Sequence, residues 1–134
     1  MKKLIGFTAV LVALFISGSV FAESLTFEVN GKKYEAAKSD LDGYYNWADA
    51  KAGCDRYTND GKDDWFLPSK EELNAMYEQL FKKCVVGNFS DYDYWSSSQV
   101  DVNTAWLQDF SSGRQFSYYK VNIGGGRVRC ARAF

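Results

Sequence analysis

Apolar and polar side chains alternate with a period of two along the last third of the chain. In the run 105–110, tryptophan, glutamine and phenylalanine alternate with alanine, leucine and aspartate, which is the pattern of a β-strand with two different faces. A three-residue loop ending in Gly113 separates this run from the run 114–119, and such a loop predicts a hairpin. With a strand that begins at Tyr94 and another over 127–134, the pattern predicts four short strands.

An N-terminal hairpin is predicted by a second pair of alternating runs, 25–29 and 32–36. They flank the dipeptide Asn30-Gly31. Asn-Gly between two alternating runs is a strong signal for a tight two-residue turn, because both residues tolerate a positive φ.

Two intervening segments follow the helical period instead. Asn46 can cap a helix from Trp47 to about Tyr57, whose buried face would carry Ala50 and Cys54. Further along, Ser69 and Glu72 form the Ser-x-x-Glu pattern of a capping box. The apolar residues that follow at helical spacing are Leu73, Met76, Tyr77, Leu80 and Phe81, and the residues expected to face solvent are Lys70, Glu71, Asn74, Glu78 and Lys82. Strands and helices together predict an α+β fold.

The first 22 residues have the pattern of a secretory signal peptide. Two lysines precede an almost wholly apolar run over residues 4–16, and small residues stand near Ala22. The apolar run is short for a membrane span, which needs about 20 residues. We therefore expect residues 1–22 to be cleaved on export to the periplasm or cell surface, and residues 23–134 to form a single domain without stable membrane insertion.

Charge and aromatic content point to a binding surface. Residues 105–134 carry five basic side chains and one acidic, so this part of an otherwise acidic chain could attract an anionic ligand, although scattered solubilising charge is an alternative. Aromatic residues outnumber Leu, Ile and Val in residues 23–134, and exposed aromatics often mark a recognition surface. No nucleic-acid partner is predicted, and the oligomeric state is left open.

The sequence contains no recognised catalytic set. It has no histidine, which excludes a Ser-His-Asp triad and any His-ligated zinc site. No phosphate-binding glycine loop occurs, and the serines 96–98 have no base placed near them by the sequence. The acidic loop with Asp60, Asp63 and Asp64 lacks the EF-hand spacing and is interpreted as a solvated turn, with calcium binding left open. No cofactor is predicted.

Three cysteines remain, and an exported chain oxidises those that meet. Cys54 points to the core from the first helix, and Cys130 alternates with Val128 and so faces inward. These two are predicted to form a disulfide. Cys84 would then be a free thiol, whose pKa the neighbouring Lys82 and Lys83 could lower if the thiol is exposed.

Several runs, in order, resemble the Lcl C-terminal domain, the module that ends the legionella collagen-like adhesins and also occurs alone in exported bacterial proteins. The runs are 46–50 (NWADA), 64–69 (DWFLPS) with Glu72 and Leu73, 94–98 (YWSSS), Ala105-Trp106, Phe110 with Gly113, and Val128-Arg129-Cys130. The resemblance implies a C-type-lectin-like fold, similar also to formylglycine-generating enzymes, with two helices packed on a small antiparallel sheet and paired N- and C-terminal strands. It also implies that Trp65 and Trp95 lie in the core, whereas the position of Trp106 stays open.

The resemblance implies binding rather than catalysis, because adhesin members bind sulfated polysaccharides. The chain has no collagen-like repeat, so the likeness concerns the module and not the trimeric adhesin. We expect an exported, non-enzymatic module that recognises a glycan, which could be anionic, or an envelope or host-surface component. Alternatives are a structural or inhibitory protein that binds another protein, and a formylglycine-generating-type enzyme, which would need a metal-binding cysteine pair.

The predicted binding surface lies on the outer face and connecting loops of the C-terminal sheet, with the helices covering the other side. Aromatic rings there could stack on a ligand, amides could donate hydrogen bonds, and arginine could hold a sulfate or carboxylate. Since Tyr118 and Tyr119 alternate, one of them is expected to pack inward. The candidate residues are Tyr92, Asp93, Asn103, Arg114, Gln115, Tyr118, Tyr119 and Asn122.

Overall fold

The computed structural model describes residues 25–84 and 87–134, so the predicted signal peptide lies outside the described residues. The elements are β1 (Thr26–Val29), β2 (Lys32–Ala36), α1 (Trp47–Arg56), α2 (Lys70–Met76) continued by a π-helical turn (Tyr77–Phe81), β3 (Asp93–Gln99), β4 (Thr104–Asp109), β5 (Gln115–Tyr119) and β6 (Ala131–Ala133). The strands form two small antiparallel sheets. The α+β class with two helices is therefore confirmed.

The first sheet has the order β1-β2-β6 and joins the two ends of the domain. Asn30 and Gly31 both adopt positive φ in the β1–β2 turn, as the Asn-Gly signal predicts. Tyr34 of β2 is opposite Phe27 on one side and Ala133 on the other. The predicted pairing of N- and C-terminal strands is thus present.

The predicted strand 127–134 is wrong in its extent, although its pairing with the N-terminal strands is present. Only Ala131–Ala133 forms a strand, and it belongs to the first sheet. Arg127 instead forms a bridge with Tyr94 of the second sheet. The chain crosses between the two sheets over residues 127–130, so it cannot pair continuously with either, although its alternating side chains look like one strand.

The second sheet has the order β3-β4-β5, and both of its faces are covered. On one face Trp95 and Leu107 pack in a core cluster with Trp47 of α1. On the other, Tyr94 and Phe110 pack with α2 residues such as Leu73. The predicted exposed outer face is therefore wrong. Exposure concentrates at the end of β5, because β5 is the edge strand.

Local capping explains where both helices begin. The Asn46 side chain accepts a hydrogen bond from the Asp49 N–H at 3.0 Å, and both halves of the Ser69–Glu72 capping box are formed. In the π-helical turn after α2, the Lys82 N–H bonds to the Tyr77 carbonyl, five residues back.

Some polar positions of α2 are not solvent-facing as predicted. Lys70 and Asn74 are half-buried. The Asn74 side-chain oxygen accepts a hydrogen bond from the Gln108 amide of β4 at 2.9 Å. The polar residue thus binds the sheet, because the buried Gln108 side chain needs a hydrogen-bond partner.

The disulfide Cys54–Cys130 is formed, as predicted, and both cysteines are buried. It ties α1 to the segment that leads into β6. Cys84 is free and exposed. Trp65 and Trp95 are buried, as expected, whereas Trp106 is half-buried, with the Lys70 ammonium 3.6 Å from its ring centroid.

A buried ionic cluster fixes the connection between β2 and α1. Asp40 accepts hydrogen bonds from Arg127 at 3.0 Å, from Arg129 at 2.8 Å and from the Tyr94 hydroxyl at 2.8 Å. Burial and, secondarily, the Asp40 charge raise the pKa of Tyr94 to about 12, so this hydroxyl stays protonated and donates. The cluster sets the position of the loop that carries Tyr44 and Tyr45.

Candidate ligand-binding cleft

A cleft of about 200 Å³ opens beside β5 on the face that carries Trp95. It contains four of the eight residues predicted as a binding surface, from three separate parts of the chain. The full lining is Tyr92, Asp93, Leu107, Phe116, Tyr118, Asn122, Gly124 and Gly125.

Strand register explains the floor of the cleft. Leu107 lies opposite Phe116, and Tyr118 follows Phe116 by two positions, so all three side chains project from one face. Asp93 lies opposite Asp109 at the end of β3 on the same face. The floor is therefore apolar in its centre and acidic at one end.

One wall is the turn that follows β5. The Asn122 side chain accepts a hydrogen bond from the Gly124 N–H at 3.1 Å, and its carbonyl accepts from the Gly125 N–H at 3.0 Å. Gly125 has φ +69°, and a Cβ there would lie 2.9 Å from the backbone nitrogen of Tyr45. Only glycine suits that close approach, so the glycine run sets this wall against the Tyr45 backbone.

The opposite wall is aromatic. Tyr92 meets Tyr44 edge-to-face, with ring centroids 5.2 Å apart. The Arg127 guanidinium, which donates a hydrogen bond to Asp40, lies 5.1 Å from the Tyr44 ring centroid. Both tyrosines are more than two-fifths exposed, so their rings are accessible although their positions are held by the ionic cluster.

The two carboxylates at the acidic end have different environments. Burial, and then the nearby charge of Asp109, raise the pKa of Asp93, while Arg114 opposes the shift. Hydrogen bonds from the Ser111 and Ser112 hydroxyls and the Ser111 N–H hold the pKa of Asp109 below its usual range, against a smaller effect of burial. The Asp109 carboxylate thus accepts hydrogen bonds within the β4–β5 turn, whereas the Asp93 carboxylate lines the cleft.

Arg114 stands at the start of β5, with its guanidinium 4.6 Å from the Phe116 ring centroid. It is exposed and takes part in no ion pair among the described residues. Its planar group of N–H donors is suited to a sulfate or a carboxylate.

The other predicted residues lie elsewhere. Gln115 projects from the opposite face and donates to the Lys70 carbonyl at 2.9 Å. Asn103 lies in the β3–β4 turn, where its carbonyl accepts from the Lys120 N–H at 2.8 Å. Tyr119 projects from the opposite face to Tyr118. The expectation that one of the two packs inward is wrong, since Tyr118 is 48% and Tyr119 62% exposed. The two rings instead meet each other edge-to-face, with centroids 5.6 Å apart.

Sequence reasoning missed other residues of the cleft region, notably Tyr44 and Gly125. The glycine run beside Asn122 was a usable signal, since consecutive glycines often permit close backbone approach. The sequence contains no such signal for Tyr44. This residue lies in a polar connection, and the ionic cluster around Asp40 brings it to Tyr92.

The described residues include no group of three or more His, Cys, Asp or Glu side chains that could hold a metal ion. In the acidic loop, Asp60 pairs with Lys38 at 3.1 Å and Asp64 with Arg132 at 2.6 Å. The Arg132 hydrogen bond lowers the pKa of Asp64, against a smaller effect of burial. Within residues 25–84 and 87–134, no helix is both long and apolar enough to cross a membrane.

Comparison with known proteins places this architecture in a family. No curated protein matches the chain. The family model of the Lcl C-terminal domain matches residues 23–132, which includes both sheets, both helices, the disulfide and the cleft. This is a non-catalytic, adhesin-associated domain family, and together with a disulfide it is typical of exported proteins. With the match extending over most of its length, the chain belongs to the Lcl C-terminal domain family.

Proposed function

We propose that this protein is an exported, non-enzymatic binding module that holds a glycan in the cleft beside β5. The observation that carries the proposal is the convergence of Tyr92, Asp93, Tyr118 and Asn122 on one cleft. Arg114, which makes no ion pair among the described residues, lies beside Phe116 at its rim. These residues come from three parts of the chain, so the arrangement is a product of the fold.

The cleft chemistry suits a sugar ring. The exposed faces of Tyr92 and Tyr118 can stack on its C–H surface. Asp93 and Asn122 can exchange hydrogen bonds with its hydroxyl groups. The Asp93 carboxylate disfavours an anion on the floor, so a sulfate or carboxylate substituent belongs at Arg114.

Two features support a binding role over catalysis. The chain has no histidine and three cysteines, two of which are joined in the buried Cys54–Cys130 bridge. A formylglycine-generating-type enzyme needs a metal-binding cysteine pair, and this bridge removes the pair that the sequence could supply.

The test is calorimetric titration with a heparin-derived hexasaccharide and with its desulfated counterpart. Tyr118→Ser should weaken binding of both, because it removes the stacking ring. Arg114→Gln should weaken only the sulfated probe, by about tenfold or more, since a hydrogen bond to a charged group contributes about 1.5–3 kcal/mol. Added salt should weaken the sulfated probe alone.

The chain supplies matched controls. Tyr119→Ser removes the neighbouring ring, which lies outside the cleft but meets the Tyr118 ring at 5.6 Å, and should weaken binding less than Tyr118→Ser does. Arg56→Gln removes an exposed cation on α1 and should leave binding unchanged. If Tyr118→Ser and Tyr119→Ser have equal effects, or if neither probe binds and an envelope protein is captured instead, the glycan-binding proposal fails.

A further inference from the structure

The outer edge of β5 carries backbone groups to which no other described residue bonds. Hydrogen-bonded pairs alternate in an antiparallel ladder. The Asp109 N–H bonds to the Arg114 carbonyl and the Lys120 N–H bonds to the Asn103 carbonyl, so even-numbered residues of β5 face β4. The N–H and C=O groups of the odd-numbered residues, Gln115, Ser117 and Tyr119, therefore point away from the sheet, and no described group bonds to them.

Each of the other outer strands in the described residues is covered in part by the chain itself. On β1, the Gln79 side-chain amide takes the place of a neighbouring strand. It accepts a hydrogen bond from the Glu28 N–H at 2.9 Å and donates one to the Glu28 carbonyl at 2.8 Å. On β3, the Trp95 N–H bonds to Arg127 and the Ser97 N–H to Pro68. On β6, Ala131 exchanges two hydrogen bonds with Phe66.

Strand β5 also lacks the usual protection of an exposed edge. Natural edges are blunted by Lys, Pro or a bulge. The sequence of β5, QFSYY, contains no charge and no proline, and it pairs with β4 in continuous register. The residues from Ser117 to Tyr119 are exposed, so an extended chain could reach this edge.

The charges around β5 indicate what kind of chain it would accept. Of the five basic residues in 105–134, Arg127, Arg129 and Arg132 are used in ion pairs. Arg114 and Lys120, which make no ion pair among the described residues, stand immediately before and after β5. The Lys120 ammonium donates hydrogen bonds to the Gln99 side chain and the Val102 carbonyl. A partner strand therefore meets the Arg114 guanidinium at one end, the positive charge of Lys120 near the other, and the rings of Tyr118 and Tyr119 between them.

We propose that the β5 edge binds an extended acidic peptide segment of another protein by strand addition. A second copy of β5 fits poorly. Antiparallel pairing about Ser117 would place Arg114 of one chain opposite Lys120 of the other, and directly opposed like charges destabilise a sheet.

The test uses blocked nonapeptides that alternate valine with glutamate, and matched peptides with lysine in place of glutamate. The protein should bind the glutamate peptide at least about tenfold more tightly, because the carboxylates near the two ends of the paired segment meet the positive charges of Arg114 and Lys120, whereas lysines there would meet like charges. Ser117→Pro should reduce that affinity by about tenfold or more, since it removes the central outward N–H and places a ring on the edge. Ser117→Ala keeps the N–H and should bind like the natural protein.

A second measurement covers the case in which Ser117→Pro loses stability. Amide hydrogen exchange of the natural protein, followed by NMR with the glutamate peptide, should slow at Gln115, Ser117 and Tyr119. Slowing confined to the cleft residues, equal binding of both peptides, or peptide-free dimerisation in sedimentation would overturn the proposal. Ser117→Pro variants that fold should keep their hexasaccharide affinity, so failure of the peptide site and failure of the glycan cleft are distinguishable.

Discussion

At the scale of single residues, Arg129 shows how a buried charge is held in place. It is fully buried, and its three nitrogen atoms donate to Asp40, to the Ala37 carbonyl at 2.8 Å and to the Gly87 carbonyl at 2.6 Å. Its guanidinium also lies 3.9 Å from the Phe89 ring centroid. A buried charge is tolerated only when it is paired and hydrogen-bonded in this way.

We expect Arg129→Met to lower the free energy of unfolding by about 3–5 kcal/mol. The change leaves two buried carbonyls without donors and removes one of the two arginines that neutralise Asp40. Urea unfolding at neutral pH measures the loss. Arg114→Met, at an exposed site, should cost less than about 0.5 kcal/mol, and comparable losses in the two variants would contradict the role assigned to the cluster.

We expect the domain to be less stable at neutral pH with aspartate at position 93 than with asparagine there. Burial raises the pKa of Asp93 in the folded state, so the charged carboxylate costs stability above the ordinary aspartate pKa of about 3.9, and the cost disappears as the pH falls below that value. Asp93→Asn should therefore raise Tm at neutral pH, with a smaller gain in acid. Asp91→Asn, at an exposed neighbour, serves as the control; a gain for Asp93→Asn that is independent of pH would contradict this account.

At the scale of elements, two turns can have the same backbone conformation and differ in how closely other residues pack against them. Gly31 and Gly113 have nearly the same φ, +82° and +86°. A Cβ at Gly31 would meet nothing within 4 Å, whereas one at Gly113 would lie 2.7 Å from the Tyr77 ring. Gly113 thus serves both the β4–β5 turn and the close fit of the hairpin on the π-helical turn.

This pair gives a matched comparison. Gly31→Ala should cost about 1–3 kcal/mol from the positive φ alone. Gly113→Ala should cost about 1–3 kcal/mol more, because the ring of Tyr77 must move. Thermal unfolding of the two variants measures the difference, and equal costs would mean that Tyr77 yields freely.

At the scale of the whole molecule, the disulfide joins parts of the chain that are 76 residues apart. Replacing both Cys54 and Cys130 by serine should cost about 2–5 kcal/mol, since the unfolded chain regains the freedom that the closed loop removes. Cys84→Ser should leave Tm unchanged because that thiol is free and exposed. Comparison of the two variants with and without reductant checks this, and no loss in the double variant would contradict it.

The sequence alone determined the features that depend on near neighbours. Asn30-Gly31, the Asn46 cap and the Ser69–Glu72 capping box were predicted because their hydrogen bonds form within a few residues. The pairing of Cys54 with Cys130 also followed from the sequence, since the helical and strand periods place both on buried faces. The family was recognisable from short runs in a fixed order.

Tertiary structure decided what depends on distant parts of the chain. Alternation in 127–134 could not show that the segment crosses between two sheets, and alternation in 114–119 could not show that Tyr118 and Tyr119 are both exposed. The cleft requires Tyr92, Tyr118 and Asn122 to meet, and the open edge requires knowing which strand is outermost. Side-chain periodicity specifies a face, whereas neighbours across a sheet are set by the packing of the whole chain.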